Sequence, residues 1–223
     1  MTDQRFSSIR ALIFDLDGTL IDSKFDLVHS VNAMLRHIQR HELHEDTISS
    51  YIGNGAPVLV AKALGPNATP DELDRALKFF LSYYEEHKMD NTCAYPGVPE
   101  ALNNLSAMPM AVLTNKPVRI SVRILEELAL AKYFRAIYGG NSFATKKPDP
   151  FGAHIILREF ATHPHEALIV GDSEVDIQTA RNTGTLAAAV NYGFGLHDRT
   201  AYPADLYLDT LADIVPALSA VER

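Results

Sequence analysis

The chain has a single cysteine, Cys93, in 223 residues, so no disulfide can form within it, and a reducing compartment suits it. No apolar run approaches the roughly 18 residues that cross a bilayer, which argues against a transmembrane segment. Residues 1–10 are polar and lack the apolar stretch of a secretory signal, so a cytoplasmic protein is expected. Positive charge is scarce: Lys and Arg number 20 against 28 Asp and Glu, a formal net charge of −8. That balance disfavours polyanions, and neither nucleic acid nor membrane is expected as a partner. Internal repeats and low-complexity tracts are missing as well. What is present is 47% hydrophobic and 22% charged residues, enough apolar material for one sizeable core.

Short apolar runs occur at residues 9–16, 110–113, 136–138, 167–170 and 186–190, with a weaker one at 206–208 and helical patterns between them. This alternation predicts an α/β fold with a Rossmann-like parallel sheet. Residues 17–109 hold far more chain than one crossover helix needs, and predict an inserted all-α unit. Leu27, Val31, Met34, Leu35 and Ile38 recur at helical spacing, as do Leu73, Leu77, Phe80, Leu81 and Tyr84. Pro70, followed by Asp71 and Glu72, marks a helix start. Gly53-Asn54-Gly55 signals a turn before an apolar helical stretch at 56–64. The expected organisation is a catalytic core of residues 1–21 and 95–223 with a helical cap of residues 22–94, hinged near 21–25 and 90–97.

Parallel sheets bind ligands beyond the carboxyl ends of their strands. Here those ends carry Asp15-Leu16-Asp17-Gly18-Thr19, Thr114-Asn115-Lys116-Pro117 and Gly171-Asp172-Ser173-Glu174-Val175-Asp176, with Lys146-Lys147-Pro148 before a helix. Two like charges 4 Å apart repel by about 4 kcal/mol at an effective dielectric of 20, so converging carboxylates require a cation. An all-oxygen set without a Cys or His cluster points to a hard ion, most plausibly Mg²⁺. Each motif also has an ordinary reading: an Asp-rich turn, a helix cap at Thr114 and Asn115, a solvated lysine pair, a helix N-cap with exposed acids. Asp22 and Ser23 read as hinge and capping residues. His37, His41 and His44 lack any group that would complete a metal site and read as exposed histidines.

Taken together and in this order, the four motifs resemble those of the haloacid dehalogenase-like phosphatases. Gly53-Asn54-Gly55-Ala56-Pro57-Val58-Leu59-Val60 and Tyr95-Pro96-Gly97-Val98 are similar to the corresponding stretches of the phosphoglycolate phosphatases within that family. The resemblance implies that Asp15 is a nucleophile forming an aspartyl-phosphate and that Asp17 is the general acid, then base. It implies that Asp15, Asp172 and the backbone carbonyl of Asp17 hold Mg²⁺, with Asp176 in the network around the metal. Thr114 and the Asn115 amide would bind phosphoryl oxygens, Gly18 would allow close approach, and Lys147 would neutralise charge. Asn54 in the cap turn is a candidate contact for a substrate carboxylate. Asn141 and Phe143 stand where many relatives carry an acid and an aliphatic residue, a departure expected to bear on substrate preference.

The implied function is Mg²⁺-dependent hydrolysis of a small-molecule phosphate ester, 2-phosphoglycolate above all, by a monomer or homodimer. Another small-phosphometabolite phosphatase, a pyrophosphatase, a nucleotidase or a phosphosugar mutase shares the same fold and stays open. A dehalogenase needs neither an acid at Asp17 nor a metal. A module that merely accepts phosphate on Asp15 gains nothing from a lid that excludes water.

Overall fold

The computed structural model describes residues 4–195 and 198–219. At its centre lies a six-stranded sheet in the order β5-β4-β1-β6-β7-β8. Its strands are β1 (Ala11–Phe14), β4 (Met110–Leu113), β5 (Ala136–Tyr138), β6 (Ala167–Gly171), β7 (Leu186–Val190) and β8 (Leu206–Leu208), and every pairing is parallel. Every residue of β1, β4 and β6 is buried, which is why these segments read as unbroken apolar runs instead of alternating ones. The first strand is shorter than its apolar run. A 3₁₀ turn (Gln4–Ser8) precedes it, and it ends at Phe14, with the Asp15 N–H still donating to the Val170 carbonyl at 2.9 Å.

Helices cover both faces. On one, Leu12, Phe14, Val112, Leu168 and Val170 pack with the inserted helices and with α5 (Val98–Asn104) and α6 (Val118–Glu127). On the other, Ile13, Ala111 and Ile169 pack against α7 (Phe151–Glu159) and α8 (Glu174–Thr183). From β1 the chain goes first to β4 and β5 on one side, then to β6, β7 and β8 on the other. The order therefore reverses at β1, and the loops after β1, β4 and β6 diverge to leave a crevice.

Between β1 and β4 stand α1 (Lys24–His37), α2 (Glu45–Ser49), α3 (Ala56–Leu64) and α4 (Pro70–His87). Helix α1 packs on α4, and α3 packs on both. Thr69 and Glu72 form a reciprocal capping box at the start of α4. The segments leading in and out are more ordered than bare hinges: β2 (Ile21–Asp22) pairs antiparallel with β3 (Cys93–Ala94). Two residues per strand are too few for an alternating pattern to reveal. Asp26, 1% exposed, accepts from the N–H of Asn91 and Thr92 and from both their side chains at 2.7–3.0 Å, tying the outgoing segment to α1.

Candidate active site

The loop after β1 turns back at once. Gly18 N–H donates to the Ile21 carbonyl at 2.9 Å, and the Leu20 and Ile21 N–H groups both donate to the Leu16 carbonyl. Gly18 has φ +80°, and a Cβ there would run into the Asp172 carboxylate, so both the turn and the approach of β6 require glycine. Asp172 follows β6 directly. Its Oδ2 accepts from the N–H groups of Phe194 (2.8 Å) and Gly195 (3.0 Å), in the loop after β7. Asp176, in the first turn of α8, accepts at Oδ2 from the Ser173 hydroxyl (2.6 Å) and N–H (3.1 Å).

These elements bring oxygens of Asp15, Asp172 and Asp176 within 4.8 Å of one another, all three residues buried. One cation among the described residues answers them. The Lys147 ammonium donates to Asp176 Oδ1 at 2.6 Å and pairs with Asp15 Oδ1 at 2.8 Å. Two unit charges at 4.8 Å repel by about 3 kcal/mol at an effective dielectric of 20. Burial, opposed by Lys147 and reinforced by Asp176, pushes the Asp15 carboxyl up to about 6. Burial together with the charges of Asp176 and Asp15 pushes Asp172 up to about 8, against the pull of the two loop amides. For Lys147 burial works against the charge, but Asp15 and Asp176 outweigh it and hold the ammonium above its usual range. Three buried carboxylates answered by one lysine suit a hard cation.

Asp17 faces a second set of partners. Its Oδ1 accepts from the Ser23 hydroxyl at 2.5 Å and from the Lys116 ammonium at 2.8 Å. Lys116 also donates to the Tyr84 hydroxyl at 2.6 Å and sits over the Tyr84 ring, 4.5 Å from its centre. Ser23 occupies the N-cap position of α1 but makes no side-chain cap, which corrects its reading as a capping residue: the hydroxyl turns to Asp17 instead. Asp22 does bond the start of the helix, accepting from Lys24 N–H.

Asp15, Asp17, Thr114 and Asn115 line one cavity of about 40 Å³, room for about three waters. Its opposite wall, from the inserted helices, includes Ile52, Gly53, Gly55, Leu59, Phe80 and Tyr84. Asn115 donates to the carbonyls of Gly53 (3.0 Å) and Lys147 (3.1 Å), while its buried Oδ1 has no partner. Asn54 is not part of this inner wall. It lines the adjoining outer cleft, and its carbonyl accepts from Lys146 at 2.6 Å. The two adjacent lysines thus serve different places, Lys147 the carboxylates and Lys146 the inserted helices. Asn141 accepts from Val118 N–H at 2.9 Å and so caps α6, and Phe143 packs between Tyr138 and Phe151. His37 stacks on Phe79, with ring centres 4.0 Å apart, and His44 caps α2.

Residues 12–190 match the model of the haloacid dehalogenase-like hydrolases. The chain belongs to that family. Among relatives, a phosphoglycolate phosphatase of Pseudomonas syringae pv. tomato is 36% identical, the match covering 93% of this chain and 79% of that protein. Phosphoglycolate phosphatase 1 of Pseudomonas aeruginosa is 38% identical over the same shares. A crystal structure described as a predicted phosphoglycolate phosphatase of Haemophilus somnus superposes with a TM-score of 0.88 at 32% identity, covering 93% of this chain and 97% of that one. Phosphatases of the family are metal-dependent, and Asp15, Asp172 and Asp176 form an acidic cluster that could hold a metal ion.

Five residues of this hydrolase site escaped the motif reading. Lys116 sits inside Thr114-Asn115-Lys116-Pro117 but is given no role by that motif. Tyr84 obeys the helical period and reads as core. Ser23 reads as a cap, and the Phe194 and Gly195 amides act through the backbone, with only Gly193-Phe194-Gly195 after a strand as a signal.

Proposed function

We propose that this hydrolase is a Mg²⁺-dependent phosphomonoesterase acting through an aspartyl-phosphate, with 2-phosphoglycolate as substrate. The observation that carries the reading is the buried Asp15 carboxylate, paired with Lys147 at 2.8 Å and within 4.8 Å of the carboxylates of Asp172 and Asp176. The substrate rests on the relatives named phosphoglycolate phosphatase. The inserted residues 22–94 serve as a lid whose apolar inner wall excludes water from the reaction.

Asp15, Asp172 and the Asp17 carbonyl would hold the ion, which suits an all-oxygen site that keeps several waters. When bound, it supplies positive charge beside the phosphoryl oxygens and relieves the repulsion among the carboxylates. The Asp15 carboxylate attacks phosphorus and the ester P–O bond breaks. The leaving oxygen takes a proton from the Asp17 carboxyl as it departs. Asp17, now a carboxylate, takes a proton from water that attacks the phosphorus of the aspartyl-phosphate, and Asp15 is regenerated. Thr114, the Asn115 amide and Lys147 offer donors to the phosphoryl oxygens, while Lys147 stays paired with Asp176, which orients it.

A panel of phosphate esters ranked by kcat/KM tests the reading. The expected result is 2-phosphoglycolate first, with turnover abolished by a chelator; a higher kcat/KM for a pyrophosphate, nucleotide or hexose phosphate would overturn the substrate. For Asn54, an Asn54→Ala variant is expected to raise KM for 2-phosphoglycolate more than for an uncarboxylated ester, and equal changes would remove its carboxylate role.

A further inference from the structure

Tyr84 reaches from the inserted helices to a charged group beside the reaction centre. It projects from α4 and is 2% exposed, and its hydroxyl accepts from Lys116 at 2.6 Å. Lys116 belongs to the core loop after β4, and its ammonium in turn donates to Asp17 Oδ1 at 2.8 Å. The chain of contacts therefore runs from lid to core to the proposed acid. Around it, burial pushes the Tyr84 phenol up to about 12, so it stays a neutral hydroxyl, and Lys116 stays charged because Asp17 and Tyr84 outweigh its burial.

Both donors to Asp17, Ser23 and Lys116, meet the same oxygen, Oδ1. Oδ2 carries no donor among the described residues, so the pair fixes the carboxyl while leaving one oxygen to hold the proton in transit. Ser23 belongs to the incoming linker and holds Oδ1 by a neutral hydroxyl. Lys116 has a long flexible stem, and its place depends on the second anchor that Tyr84 provides.

We propose that Tyr84 and Lys116 are positioning residues that aim Asp17 Oδ2 at the leaving oxygen only when the lid is down. With the lid raised, Tyr84 leaves with α4, and Lys116 is free to swing off Asp17. Proton delivery to the leaving group is thereby confined to the closed, water-poor state. This inference rests on the reading of Asp17 as general acid.

The test compares two esters in wild type, Tyr84→Phe and Lys116→Met: 2-phosphoglycolate, whose alkoxide needs a proton, and p-nitrophenyl phosphate, whose phenolate leaves without one. Tyr84→Phe keeps the ring stacked on Phe80 and under the Lys116 ammonium, and removes only the hydroxyl. Because Asp17 also serves as base in the later step that both esters share, leaving-group release is read within a single turnover: the expected result is a loss of about tenfold in the rate of glycolate release with the rate of p-nitrophenol release changed by less than about twofold, as one hydrogen bond to a charged group commands. Lys116→Met is expected to lose about a hundredfold in glycolate release, and its retained single-turnover release of p-nitrophenol shows that it is folded. Equal losses on both esters, or a rise in KM alone, would reduce the pair to lid packing and overturn the inference. A wild-type protein inert toward every ester with Mg²⁺ would overturn the phosphatase reading itself; a wild type active on both esters with no selective loss would overturn only the positioning role.

Discussion

Replacing Asp172 by Asn is expected to stabilise the metal-free protein while abolishing its response to Mg²⁺. The substitution fits the site: the amide oxygen can accept from Phe194 and Gly195 N–H as Asp172 Oδ2 does, and the amide nitrogen faces Thr19, whose hydroxyl lies 3.4 Å from Oδ1. The gain comes from removing a charge that faces Asp15 and Asp176 across 4.8 Å or less. Each pair is worth about 3 kcal/mol at a dielectric of 20. With Lys147 offsetting part of the sum, the net gain is about 3 kcal/mol, or about 8 °C in Tm for a chain of this length. The effect also has a definite pH dependence. Asp172 is pushed up to about 8 in the folded protein, from 3.8. The folded state then binds the proton more tightly than the unfolded one, so this contribution to stability is complete below about pH 4 and is lost as pH rises through about 8. The variant lacks that slope. Thermal melts in chelator should show the two proteins coinciding near pH 4 and the variant ahead at pH 8. Millimolar Mg²⁺ should then raise the Tm of the wild type alone. A variant that melts below the wild type at pH 8 in chelator would refute the argument, because Asp172 would then be a structural carboxylate.

Other perturbations follow from the same geometry. Lys147→Met leaves Asp176 and Asp15 buried without their cation, and should cost about 3 to 5 kcal/mol in denaturant melts along with most of the activity. Gly18→Ala must strain a φ of +80° and displace Asp172, so a loss of at least about a hundredfold in kcat together with weaker Mg²⁺ binding is expected by assay and calorimetry. Asp26→Ala strands the N–H groups of Asn91 and Thr92, and should lower stability by about 3 kcal/mol and speed hydrogen exchange at those amides.

The parallel sheet was legible because its central strands β1, β4 and β6 are buried throughout and, past the insertion, strands alternate with helices. Asp15, Asp172 and Thr114 were legible in place, since each directly follows a strand and strand ends are where this architecture gathers ligands. The resemblance separated Lys147 from Lys146, which composition alone could not do; in the fold one is buried among carboxylates and the other bonds the Asn54 carbonyl. The rest was hidden for physical reasons. Tyr84 is both a core residue of α4 and a hydrogen-bond partner, and helical periodicity reports only the first role. Ser23 satisfies the positional rule for a cap and spends its hydroxyl elsewhere. Backbone donors such as Phe194 and Gly195 N–H leave no side-chain signature, and the ribbon of β2 and β3 is shorter than any pattern can report.

The central claim is that the Asp15 carboxylate bonds to phosphorus during turnover. Rapid acid quench within a single turnover, followed by peptide mapping by mass spectrometry, tests it most directly. A phosphoryl group on Asp15 that forms and decays at the rate of turnover is predicted. A phosphoryl group on another side chain, or none at any time point while product accumulates, would contradict it.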